Sequence, residues 1–298
     1  MRWRRARAET RRPEKQPSRT RRRNSRRFTG SRTSPLIWAG LVIVAAIIAL
    51  TVLAPWIAPY DPVAYQGGGR LQPPGNGHLM GTDQLGRDIF SRVAYGGRIP
   101  LVVAFASVFT AMTLGALFGW ASGYAGGYPD RLLSLAMDSL YSFPSLILAI
   151  VIAAVLGPGL FNMVVAVAVV FVPTYYRVAR AQALQLKELE MVAAARALGA
   201  SNWRILFRHI APNTLGPLIP VATYNVADAV LTAAGLSFLG LGVQPPTPDW
   251  GFDLQNGQSF LPSGSWWPVT FPGLMILLLT LGFAMLGEGV GDRMRPRR

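Results

Sequence analysis

Long uncharged runs alternate along the chain with short charged stretches, and the runs have the length of membrane-crossing helices. A crossing needs about 20 mainly apolar residues. Six segments meet that condition, at roughly 36–56, 99–122, 134–156, 160–178, 214–240 and 271–290. In hydrocarbon the backbone must satisfy its own hydrogen bonds, so runs of this length predict helices. The expected fold is all-α and polytopic, with six transmembrane helices. Pro144, Pro217 and Pro220 fall inside spans and remove backbone bonds there, which predicts kinks. Gly115, Gly119 and Gly123 repeat at four-residue intervals, a pattern that lets two helices approach closely, within or between subunits.

Charge orients this bundle. The chain of 298 residues has a formal net charge of +15. Residues 1–35 hold 14 Lys and Arg against two acids, so this tail supplies +12 and the rest about +3. Such a segment cannot build a core, and it reads as a disordered cytoplasmic tail touching anionic headgroups. No aromatic platform accompanies the arginines, so nucleic acid is not the expected partner. Ser25-Arg26-Arg27-Phe28 has the look of a twin-arginine export signal, but the run after it is long enough to span. We read it as an uncleaved first helix. Six crossings put both termini inside. The outer segments 157–160 and 243–270 contain no Lys or Arg, whereas the inner loop 179–213 holds Arg180, Lys187, Arg196, Arg204 and Arg208. One loop disagrees: 57–98, outside, carries Arg70, Arg87, Arg92 and Arg98, with Asp61, Asp83 and Asp88 as offsets.

The polar stretch 188–213, ELEMVAAARALGASNWRILFRHIAPN, stands out between two spans. Glu188 and Glu190 near its start and basic residues near its end suit a helix dipole. Ala193, Ala194 and Ala195 offer a flat surface, too slight for a lipid-seeking face. Gly199 serves either close approach or helix termination. The segment 188–200 is therefore expected to be a helix that a soluble partner grips, through Glu190, Ala194, Ala195, Arg196, Gly199, Ala200 and Ser201. Trp203 and Phe207 lie four apart, on one face of a second short helix along the inner lipid boundary.

Only 14% of the residues are charged, against about 25% in a soluble domain, and mean hydropathy is +0.32. Acids inside spans are costly enough to suspect function. Asp138 and Asp228 are such acids, both expected nearer the cytoplasmic side. Asn225, Asp228 and Thr232 share a face, fitting either a hydrated pathway or an interhelical hydrogen-bond cluster; Asp138 could equally pair with Arg131. In the outer loop, Trp250, Trp266 and Trp267 suit the headgroup level. With no Cys, two distant histidines and no phosphate-binding loop, neither a metal centre nor a catalytic site is expected. The rival function is a stand-alone secondary transporter or channel, which would commonly show internal repeats and midplane coupling residues.

Four stretches carry a family resemblance. VAAARALGAS and FRHIAPN (192–201 and 207–213) resemble the EAA loop of importer-type ABC permeases. GTDQLGRDIFSRVAYGGRIPL (81–101), MDSLYSFPSLILAIVIAAVLGPGL (137–160) and GLSFLGLGVQPPTPDWG (235–251) are similar to the dipeptide, oligopeptide and nickel permease group, in its "C" type. The chain departs from that pattern at Ala193, where the EAA signature has its first Glu, and at Ala233. The resemblance implies a Type I ABC importer permease in a bacterial inner membrane. With the tail (1–35) and the first helix with its outer loop (36–80) read from charge and hydropathy, the resemblance makes 81–298 a permease domain with a cytoplasmic coupling loop at 179–213. It further implies a second permease subunit, two cytoplasmic ATPases that bind ATP and Mg, and an extracytoplasmic solute-binding protein. No cofactor is expected in this chain. Dipeptides or oligopeptides are the expected solutes, with nickel complexes and glutathione also handled by such permeases.

Overall fold

A computed structural model of the chain describes residues 35–65, 69–75 and 77–294. The tail 1–34, with its twin-arginine-like run, and the last four residues lie outside the described residues. From the first described residue the chain is helical: α1 (Pro35–Val52) opens with proline, whose fixed φ suits a helix start. After the single turn α2 (Ala54–Ile57), an outer loop leads to α3 (Ile89–Gly96) and α4 (Arg98–Ala125). Asp88 caps α3, its carboxylate accepting from the Ser91 amide and hydroxyl, each at 2.7 Å. Then come α5 (Gly127–Tyr141), α6 (Ser145–Leu156), α7 (Leu160–Leu186) and the inner helices α8 (Glu190–Ala197) and α9 (Asn202–Ile205). A π-helical turn, Leu206–Ile210, joins α9 to α10 (Ala211–Phe238). An outer helix α11 (Trp250–Gln258) precedes α12 (Trp267–Met294). Among the described residues there is no strand, only isolated bridges at Gly75–His78 and Thr82–Asp88.

Among the described residues, five helical stretches are long and apolar enough to cross a membrane. The third expected span, 134–156, is not one helix. It divides into α5 and α6, which meet at 95° across Ser142–Pro144. Proline disfavours α-helical geometry at the residue before it, here Phe143, and the break falls at that position. Counted as one broken span, the pair brings the total to six. Pro217 and Pro220, by contrast, are carried inside a continuous α10. The fourth span runs on to Leu186 instead of 178, so Arg177 and Arg180 sit within α7 and not at its end.

The tightest seam is α4 on α7. A Cβ at Gly115, Gly119 or Gly123 would lie 2.6, 2.5 or 2.8 Å from the carbonyl oxygens of Val172, Tyr176 and Arg180. The ladder is thus packing within this chain, and any side chain would push the two backbones apart. On the other flank α1 lays Val44 and Ile47 into the same core, and α12 adds Ile276, Leu279 and Phe283.

Candidate functional site

The inner crosspiece is built by two caps placed back to back. At the end of α8, Gly199 takes φ +78°, the left-handed region that an L side chain enters only with strain. Its amide donates to the Arg196 carbonyl at 3.0 Å, and the Ala200 amide donates to the Ala195 carbonyl at 3.0 Å. This pair of bonds is a Schellman stop. Two residues later the Ser201 hydroxyl accepts from the Arg204 amide and starts α9. A Cβ on Gly199 would meet no atom of this chain within 4 Å, so within the chain the glycine serves helix termination.

Val192 is fully buried and Ala195 half-buried, and they fix α8 to the bundle. Its other side is open. Met191, Ala194 and Leu198 follow one another at helical spacing, and Leu198 is 89% exposed. Glu190, Arg196, Gly199 and Ser201 are also exposed, while Ala200 is half-buried. Leu198 is the residue that sequence reasoning missed, although its place directly before the stop glycine was the available signal. Beyond the caps, Trp203 stacks on Phe207 with ring centroids 4.9 Å apart, both exposed on the inner side.

Few polar bonds tie this crosspiece to the spans. The Tyr124 hydroxyl donates to Asn202 Oδ1 at 2.8 Å, and Arg196 reaches the same hydroxyl at 3.5 Å. Lys187 donates to the Gly123 carbonyl at 3.1 Å. About two turns deeper along α7, Arg180 holds the buried Asp130 through two bonds of 2.6 Å. Ser122 donates to the same carboxylate and lies 2.7 Å from the Tyr176 hydroxyl, which also meets Ser134 at 2.9 Å. The inner ends of α4, α5 and α7 are therefore latched together by charge-assisted bonds. No local pattern announced Asp130, because its partner is 50 residues away.

The pathway candidates separate into two settings. Asp138 does not pair with Arg131. It pairs with Arg177 at 2.7 Å, and that guanidinium also covers the Tyr141 ring at 3.8 Å. Asn225 and Asp228 line a pocket of about 330 Å³ at the α5–α6 break, with Tyr141, Ser145 and Thr174. Asp228 is the eighteenth of 28 residues in α10, past the middle toward the outer end. The expectation of a cytoplasmic position for it is corrected. Thr232 does not join it through side chains, since the Thr232 hydroxyl donates to the Asp228 backbone carbonyl at 2.8 Å.

The outer end is built differently. Arg92 is buried and forks onto Asp253, with contacts of 2.6 and 3.0 Å to Oδ1, while also donating to the Pro62 carbonyl at 3.0 Å. Arg87 pairs with Asp83 at 2.6 Å. Two of the four discordant outer arginines are thus neutralised inside the fold, which removes their weight from the topology count. Trp250 and Trp267 are buried struts, their indole N–H groups donating to Val93 and Thr82 carbonyls at 2.8 and 3.0 Å. The expected headgroup position is corrected for these two, which are buried within the fold. Asp249 caps α11 by accepting from the Gly251 amide at 2.9 Å. Burial pushes its carboxyl up to about 6, against the hydrogen bonds from Ser237 and Gly251.

Comparison with known proteins follows this division of the chain. Residues 115–296 match the model of the binding-protein-dependent transport system inner membrane component, and residues 26–74 that of the N-terminal transmembrane domain of oligopeptide transport permease C. A dipeptide transport system permease of Alkalihalophilus pseudofirmus is 42% identical, covering 91% of this chain and 88% of its own. A probable D,D-dipeptide transport system permease of Escherichia coli is 40% identical over 91% and 93%. A glutathione transport system permease of Pectobacterium atrosepticum is 40% identical over 87% and 86%. Among solved structures, the inward-facing MetNI methionine ABC transporter shares the fold, with TM-score 0.53 and 18% identity over 69% of this chain and 97% of that one.

Proposed function

The chain belongs to the binding-protein-dependent transport system inner membrane components, the permease subunits of bacterial ABC importers, and on that premise we propose that it forms half of a peptide pathway worked through α8. It is a multi-pass, non-catalytic pore component of the inner membrane, and ATP hydrolysis belongs to a separate subunit. Family membership implies a partner permease, ATPases and a binding protein. In the arrangement we propose, the partner permease is a different chain, two ATPases hold ATP and Mg, and an extracytoplasmic protein delivers the solute. The names of the relatives favour dipeptides or oligopeptides as that solute.

The observation that carries this reading is the doubly capped, outward-facing crosspiece α8–Ser201, whose apolar stripe Met191–Ala194–Leu198 is open. An importer must hold two arrangements that differ by a few kcal/mol and let ligands choose between them. Closure of the ATPases around nucleotide moves whatever is seated in their surface. A stiff α8 then passes the displacement to α4 through Tyr124 and Asn202, and to α7 through its own short connection. The π-helical turn at 206–210 lies on the other arm, between the crosspiece and α10.

Leu198→Asp tests this. The side chain is 89% exposed, so folding should be unaffected. Expected are normal insertion and thermal stability, loss of co-purifying ATPase, and at least a tenfold drop in ATP-dependent dipeptide uptake by the reconstituted assembly. Uptake and ATPase association at the wild-type level would refute docking through this stripe.

A further inference from the structure

We propose that the pocket at the α5–α6 break is a transient half-site for the amino-terminal end of a peptide, with Asp228 receiving its α-ammonium group. The inference rests on the peptide-importer reading and deepens it by naming where the solute pauses. At about 330 Å³ the pocket falls at the small end of the range for small-molecule sites. It lies between the eleventh and fifteenth residues of the 27-residue α7 and the fifteenth and eighteenth of the 28-residue α10, halfway across both.

One group in it lacks a partner, and its chemistry is complementary to the amino-terminal end of a peptide. Among the described residues no cation reaches the Asp228 carboxylate, and the Thr232 hydroxyl bonds to its backbone instead. A half-buried, unpaired carboxylate at this depth calls for a mobile cation or a proton. Asn225 is 8% exposed, and its amide nitrogen has no hydrogen-bond partner. The Tyr175 hydroxyl stands beside it, equally without a partner in bonding geometry. Both atoms are closed to solvent, so they stand behind the pocket wall and take no direct part in holding a solute. Another wall of the pocket is the start of α6. Its N-cap is Pro144, no side chain caps it, and the first bond into the helix is from the Leu148 amide to the Pro144 carbonyl at 3.0 Å. Ser145, the first residue of that helix, lines the pocket, and an uncapped helix start favours negative or carbonyl oxygen.

Of a peptide's own groups, the ammonium is therefore the one this pocket answers, at Asp228. Arg177 cannot neutralise Asp228 in this arrangement, because it is committed to Asp138 and to the Tyr141 ring. Tyr141 forms part of the same pocket wall, so that pair borders the site without filling it.

The test uses the cysteine-free chain in its complete reconstituted assembly. Thr174 lines the pocket and is given no ligand role, so Thr174→Cys reports occupancy through its rate of thiol labelling during ATP turnover. A dipeptide with a free amino terminus should slow labelling of this thiol about tenfold. The same dipeptide N-acetylated should not protect, even when the labelling is repeated at concentrations that saturate the binding protein. Adding Asp228→Asn should abolish protection, and Asp228→Glu should restore most of it; a merely structural role for Asp228 would not distinguish the two peptides. Equal protection by free and acetylated peptide, or protection that survives Asp228→Asn, would overturn the assignment. If the wild-type assembly takes up the peptide but no peptide protects the Thr174→Cys thiol, the half-site is wrong and the importer reading stands. If the wild-type assembly takes up no peptide at all, the importer reading fails and the half-site fails with it.

Discussion

The two ends of the bundle solve opposite problems. At the outer end, the loops before α3 and around α11 are pinned by buried ion pairs, Arg92–Asp253 and Arg87–Asp83, and by two indoles bonded to backbone carbonyls. At the inner end, α8 is exposed on most of its surface and attached through Val192, Ala195 and a few bonds from Tyr124. Buried ionic contacts are expensive to break singly, whereas an exposed helix with good caps can be displaced intact. The outer end is therefore built to hold shape, and the inner end, on the docking proposed above, to transmit motion.

Arg92→Ala should give the largest effect. It leaves Asp253 buried without its cation, a loss of about 3 to 5 kcal/mol, read as a large fall in thermal stability in detergent. A normal melting curve for that variant would break the contrast. Asp249 gives the next effect, one set by pH. Its folded pKa of about 6 lies above the ordinary 3.8, so the folded chain holds the proton more tightly than the unfolded. Stability from this group is then complete below about pH 4, and it falls as the pH rises to about 6 and stays low beyond. At about 1.4 kcal/mol per pH unit the span is about 2 to 3 kcal/mol. Asp249→Asn should flatten that part of the pH dependence and keep the α11 cap; an unchanged slope would show that the carboxyl is not the titrating group. Gly199→Ala should be the smallest in stability, about 1 to 2 kcal/mol for a left-handed residue with Cβ. Its uptake defect should exceed what that destabilisation predicts, because the stop that shapes α8 is loosened. Uptake scaling only with folded amount would place Gly199 among ordinary surface residues.

Much of this contrast is written in local pattern. Hydropathy marks the spans, and the charge and small-residue content of 188–213 marks the crosspiece, because both depend on neighbours a few positions apart. The ladder at Gly115, Gly119 and Gly123 is legible for the same reason. What escapes is pairing at long range. Arg92 and Asp253 are separated by 161 residues, so the arginine counted against the topology when it was in fact neutralised. The bend at Ser142–Pro144 escapes differently: Leu140 to Leu156 is almost unbroken in hydropathy, and composition cannot separate one rod from two meeting at 95°. Trp250 reads as an interfacial aromatic because an amphipathic ring suits both roles; only the Val93 carbonyl decides between them.

The seam between α4 and α7 has a mechanical consequence. Its three notches repeat every four residues, so the next register in which carbonyls again drop into gaps is about 6 Å away. Any smaller slip drives a Cα ridge onto an oxygen. These two rods consequently tilt as one welded beam, and the departures from straight α-helix lie elsewhere, at the elbow by Pro144 and the π-helical turn at 206–210.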